Sequence, residues 1–271
     1  MSMTAHAQQV SLSVKDAQFT RPLVEKLAAE YNKEHPSVNI SVVSTDNADG
    51  KIELDGNSLS SIGRFIVLPI ANSENEILQN KKVQKGLNDK LEHRIFVKLD
   101  YLQSLDAEEE GEKPLPGTVY ALTGSKAVIT NLYAKWLNVT PAQINGKKIL
   151  GKEENAISAV KAHKDAISFN VANLVYNTTD GTVGQGLSVF NVDLDGNGKI
   201  SDAERQAVGN LNTLTAYLDQ STTSGVPTGN VSIETSNNNL QQFVSWVRQE
   251  GQSYLHAAGF LKPAEALTAQ R

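Results

Sequence analysis

The chain has no cysteine among its 271 residues. Disulfides, thiol nucleophiles and Cys-ligated zinc are excluded together. Its five histidines, His6, His35, His93, His163 and His256, are scattered, with no HExxH and no pair at ligand spacing. GxSxG, P-loop and GxGxxG motifs are all missing. No constellation for catalysis is left, and the chain is expected not to be an enzyme. Basic residues do not exceed acidic ones: the formal net charge is -5. No Lys/Arg cluster is dense enough to track a phosphate backbone, so nucleic acid is not an expected partner. No apolar run approaches the ~20 residues of a membrane span. The acidic stretch 106–116, with Glu108, Glu109 and Glu110, is expected to be a solvated loop. Trp136 and Trp246 fall on apolar helix faces and are assigned to the core.

What remains is an ordinary globular composition, 39% hydrophobic and 20% charged. The length calls for one large or two smaller domains. Val10–Val14 and Val38–Val42 alternate apolar and polar residues, as half-buried strands do. Between them Leu23, Val24, Leu27, Ala28 and Tyr31 share one helical face after Pro22. That order is a βαβ unit on a parallel sheet. Thr45–Ser61 is assigned to a loop and Arg64–Ile70 to a buried strand. A strand at 118–122 leads into a helix over 127–137, then a helix over 155–163 and a strand over 166–171. Single helices are expected over 203–218 and 239–258, the second capped by Gly259. Alternating strands and helices call for an α/β fold.

The most specific motif is the twelve-residue run Asp193 to Glu204. It places side-chain oxygens at loop positions 1, 3, 5, 9 and 12 and Gly198 at position 6, the EF-hand spacing. Asp193, Asp195 and Asn197 would give side-chain oxygens, Lys199 its carbonyl, Ser201 a contact through water, and Glu204 a bidentate carboxylate. The run is expected to bind Ca²⁺. The incoming segment 187–192 has strand character and only the outgoing side is helical. That makes a lone calcium loop, not a sensor pair.

Two strand-to-helix turns could bind an anion, since helix N-termini carry unpaired N–H groups and partial positive charge. Thr123-Gly124-Ser125-Lys126 offers two hydroxyls, a permissive Gly and a cation. Lys15–Thr20 offers Gln18 and Thr20. In both, the alternative is that the hydroxyls merely cap their own helices.

The closing segment from Gln242 to Pro263, with Trp246, Glu250-Gly251-Gln252 and Gly259-Phe260, resembles the last helix of phosphate-type solute-binding proteins of ABC transporters. Residues 155–171 resemble that family's Ala-Val-Lys helix and following strand. Gln18–Tyr31, with Phe19, Pro22 and Leu23, resembles its first helix, and Thr123–Lys126 falls where the family has its Ser-Gly-Thr-Arg anion loop. The resemblance implies a two-lobed type II periplasmic-binding-protein fold, each lobe a sheet flanked by helices. Lobe one would be 8–75 plus 205–271, and lobe two 76–204. It implies an anion site from Gln18, Phe19, Thr20, Thr123, Gly124, Ser125 and Lys126. It also implies a small oxyanion such as phosphate as ligand, an ABC transporter permease as partner, a monomer, and a periplasmic location. Ala5-His6-Ala7 before Gln8 has the form of a signal-cleavage site, so Met1–Ala7 is read as a tag scar and the stub of a removed signal. The stretch between the second and third strands is shorter than the family's second loop. That motivates an alternative, a calcium-stabilised interaction protein that keeps the fold and has lost oxyanion binding.

Overall fold

The computed structural model describes residues 7–56, 58–98, 115–124, 127–221 and 223–264. The chain forms two compact units. Unit 1 is Met1–Phe65 with Gly229–Arg271, and unit 2 is Ile66–Thr228.

Unit 1 begins with β1 (Gln8–Ser13), α1 (Arg21–Glu34) and β2 (Val38–Val43). β1 and β2 pair in parallel from Gln8 opposite Val38 to Ser13 opposite Val43, so the βαβ expectation holds. β3 (Gly50–Leu54) follows, parallel to β1. It lies inside the stretch assigned to a loop. β4 (Ser61–Asn72) is longer than expected, and its residues up to Phe65 belong to this unit.

Unit 2 takes the chain from the second part of β4. Two short helices follow, α2 (Lys81–Lys85) and α3 (Asp89–Phe96), capped by the side chains of Asn80 and Asn88. Then come β5 (Thr118–Leu122), α4 (Val128–Trp136), β6 (Lys147–Ile149), α5 (Glu153–Ala162) and β7 (Ala166–Val171). β5 runs parallel to both β6 and β7, while β4 is antiparallel to β7. After α6 (Ala172–Val175), β8 (Leu187–Val189) pairs antiparallel with the end of β4. The single helix expected over 203–218 is two, α7 (Asp202–Ala207) and α8 (Leu211–Gln220). The break falls where Asn210 turns its side chain to accept from Asn212 N at 2.9 Å and caps α8. The rings of Phe96, Tyr133 and Phe169 form the aromatic centre of the unit, Tyr133 stacking on Phe169 at 4.1 Å.

The chain returns to unit 1 through β9 (Thr228–Thr235), antiparallel to β3, and α9 (Asn238–Gln249). α9 is shorter than the helix expected to Ala258. Two 3₁₀ turns complete that stretch, and Gly259, at φ 83°, ends it as expected. α1 and α9 bury the apolar faces read from the sequence. Tyr31 meets Phe243 and Trp246 edge-on at 5.2 and 5.5 Å, and Trp246 donates to Glu34 at 2.8 Å.

The unit boundaries differ from the expected 75/76 and 204/205. Residues 66–75 belong to unit 2 because Val67–Ala71 are hydrogen-bonded along β7 and Ile70–Asn72 along β8. Residues 205–228 belong there because Tyr176 donates to Val208 O, Leu211 N to Gly181 O and Gly225 N to Leu194 O, at 2.6, 2.8 and 2.9 Å.

Candidate functional site

The turn after β5 is built from a fixed base and an open tip. Leu122 ends the strand buried, and packs with Ala127, Ala156 and Ile149. Thr130, one turn into α4, donates its hydroxyl to Leu122 O at 2.8 Å, and Thr123 N donates to Ile149 O at 2.9 Å. Strand end and helix start are thereby held together. Thr123 and Gly124 are exposed. Gly124 has φ 121°, a conformation that favours glycine, and open space where a Cβ would stand. α4 has Ala127 as its N-cap, and this residue makes no side-chain cap bond. Ser125 and Lys126 lie outside the described residues.

The turn after β1 is built differently. Gln18–Thr20 form a 3₁₀ turn that runs into α1. Phe19 is buried against Phe65, edge-on at 5.5 Å, and stacks on Phe260 at 6.4 Å. Thr20 is fully buried, and its hydroxyl donates back to Ala17 O at 2.7 Å. Thr20 N also donates to Ala17 O. Packing takes the Phe19 side chain and a local turn takes the Thr20 hydroxyl. Gln18 alone stays near the surface, donating to Ser44 Oγ at 2.9 Å and to Lys15 O at 3.3 Å. Beside it is a group the sequence reading missed. Arg21 bonds the same Ser44 hydroxyl and the Gln18 side chain, and pairs with Glu25 at 2.7 Å. Its signal was the basic residue directly before Pro22 at the helix start.

The 193–204 run forms a tight loop. Asp193 accepts from Gly196 N, Asn197 N and Gly198 N at 2.8, 3.2 and 2.6 Å. Asn197 accepts from Lys199 N at 2.9 Å. Glu204 is fully buried, accepting from Leu194 N at 2.7 Å and from Ser201 N and Oγ at 2.6 and 2.8 Å. The bond from Ser201 N, with Glu204 N donating back to the Ser201 hydroxyl at 3.3 Å, closes a capping box on α7. These bonds bring one oxygen each of Asp193, Asp195 and Glu204 within 4.8 Å of one another. Oxygens bound to one Ca²⁺ at about 2.3–2.6 Å can be no more than roughly 5 Å apart, so the three fit a single ion. Asn197 and Ser201 are engaged in loop hydrogen bonds. Burial raises the Asp193 carboxyl; the three N–H bonds oppose it and Asp195 adds to it. Among the described residues, no Lys or Arg forms an ion pair with these three carboxylates.

A third chain segment clasps the loop. Gly225 N donates to Leu194 O, Thr223 donates its hydroxyl to Asp195 O, and Tyr217 reaches Asp195 at 3.4 Å. A Cβ at Gly225 would stand 2.0 Å from Asp193 O, so only glycine allows this approach. Two residues on, Pro227 O accepts from Val67 N in β4 at 2.9 Å.

Of the two tryptophans, Trp246 is in the core as expected. Trp136 is 40% exposed, because it closes α4 where that helix leaves the packed layer.

Similar solved structures share this architecture. A putative phosphate ABC transporter substrate-binding protein from Clostridium perfringens, solved with bound phosphate, matches at a TM-score of 0.57 and 14% identity, over 94% of this chain and 99% of that one. An ABC-type phosphate transport receptor from Vibrio cholerae matches at 0.55 and 10%, over 94% and 100%. PstS from Borrelia burgdorferi matches at 0.51 and 14%, over 94% and 98%. No family model and no curated protein matches the chain by sequence. These likenesses establish the type II periplasmic-binding-protein fold.

Proposed function

We propose that this protein is a solute-binding protein that captures a small oxyanion, phosphate first, for an ABC transporter. The observation that carries this reading is the Thr123-Gly124 turn. In a fold shared with phosphate-binding proteins, it stands exposed before a nine-residue helix whose N-cap, Ala127, has no capping side chain. Such a terminus favours an anion through its dipole and its N–H groups. The Thr123 hydroxyl would add a donor, and Ser125 and Lys126 are proposed to add a second hydroxyl and a positive charge. Gln18 and Arg21 form a second donor group on unit 1. No covalent step is involved: the protein binds, releases to a permease, and acts as a monomer outside the cytoplasm. No helix among the described residues is long and apolar enough to cross a membrane.

The 193–204 loop is the proposed calcium site, with Asp193, Asp195 and Glu204 at its centre. Asn197, the Lys199 carbonyl and Ser201 complete the set. Ca²⁺ would neutralise three carboxylates that the described chain leaves without a basic partner. Its role is structural, because the loop is clasped by the segment leading into β9.

Titrating phosphate, sulfate and molybdate into the calcium-loaded protein in a calorimeter tests the reading. Saturable 1:1 heat with at least one anion is expected. A folded, calcium-loaded sample that gives none with all three would overturn oxyanion binding. The calcium-stabilised interaction protein would then be the better description. The closed turn at Phe19–Thr20 is the observation that favours that second reading.

A further inference from the structure

Unit 2 holds a cavity of about 470 Å³ next to the 193–204 loop, within the size range of small-molecule sites. One wall is the first turn of α3, with Asp89, Lys90 and Glu92; another is Trp136 at the end of α4; a third is the loop itself, with Asp193 and Ile200. Among the described lining residues, Asp89 and Glu92 stand beside the single base Lys90, Asp193 being a ligand of the proposed calcium site. Glu92 is 8% exposed, a burial that carboxylates avoid unless they are paired. Its partner is the Trp136 indole, which donates to it. One N–H meets only one of a carboxylate's roughly four acceptor directions. Burial, with the Asp89 charge adding to it, pushes Glu92 up to about 8. Among the described residues, no cation acts on this carboxyl. The indole, 40% exposed, lines the same cavity, and an aromatic ring attracts a cation placed over its face.

We propose that this cavity is a binding site for a small primary alkylammonium ion. Its ammonium group would donate to Glu92 and Asp89, and its alkyl chain would lie against Trp136 and Ile200. The site is separate from the Thr123–Gly124 turn and does not depend on the oxyanion reading.

The test is a calorimetric titration of the calcium-loaded protein with 1,4-diaminobutane, with 1,4-butanediol as the neutral isostere. The diamine should bind 1:1 and the diol should not. Glu92→Gln and Trp136→Leu should each weaken the diamine about tenfold or more. The loop carboxylates are untouched in both variants. If Glu92→Gln does not fold, the exposed Trp136→Leu position alone carries the test. No diamine binding, equal binding of the diol, or unchanged binding in Trp136→Leu would each overturn the proposal.

Discussion

The turns after β1 and after β5 carry the same kind of sequence signal, a strand end followed by hydroxyls and a helix. They have opposite fates. After β1, Phe19 fills the core between Phe65 and Phe260, and Thr20 spends its hydroxyl on Ala17 O. After β5, the apolar anchors Leu122 and Ala127 sit on either side of the tip, and Thr123 and Gly124 between them stay exposed. The proposed anion loop therefore needs more than donors at a helix start. It needs the buried residues to flank the tip and not to occupy it.

Phe19→Ala breaks the closed turn most severely. Truncating a fully buried Phe costs about 3–5 kcal/mol, to be read from chemical denaturation. Phosphate affinity of the fraction that remains folded should be close to wild type.

A comparable effect should come from pH. Glu92 sits near 8 in the folded protein against an ordinary 4.5. The unfolded chain loses this proton first as pH rises, so stability should fall between about pH 4.5 and 8 and level off above. The full span is on the order of several kcal/mol. Denaturation of Glu92→Gln across that range should show this part of the slope removed.

Calcium comes next. An ion bound only by the folded state, at a hundred times its dissociation constant, adds about 2.7 kcal/mol. Chelation should lower Tm accordingly, and Glu204→Gln should erase the difference between chelated and calcium-loaded samples. A Tm difference that survives in Glu204→Gln would place the ion elsewhere.

The smallest stability change belongs to the open turn. Gly124→Ala meets no neighbour, so only its φ of 121° is strained, at a cost of about 1–3 kcal/mol. Thr123→Val, on an exposed residue, should stay within about 0.5 kcal/mol. Both should weaken phosphate binding in calorimetry more than they weaken the fold.

Much of this arrangement was legible in residue order. The βαβ start and the buried faces of α1 and α9 follow from local spacing. β3 was not legible, because only Gly50 and Ile52 in it are buried and its Asp-, Asn- and Ser-rich flanks look like a loop. What makes it a strand is pairing with β1 and with β9, some 180 residues away in the chain. The burial of Phe19 is hidden for a similar reason, since Phe65 and Phe260 are far from it in sequence. Trp136 erred the other way: helical periodicity put it on an apolar face, but α4 ends there and half-opens it to solvent.

The open turn can be tested residue by residue by following backbone amide resonances while phosphate is titrated into the calcium-loaded protein. The account expects the largest saturable shifts at Gly124 and the first turn of α4, with Phe19 and Thr20 nearly still. Saturation with the Gly124 and α4 amides unmoved, or with the Phe19–Thr20 turn moving most, would contradict it.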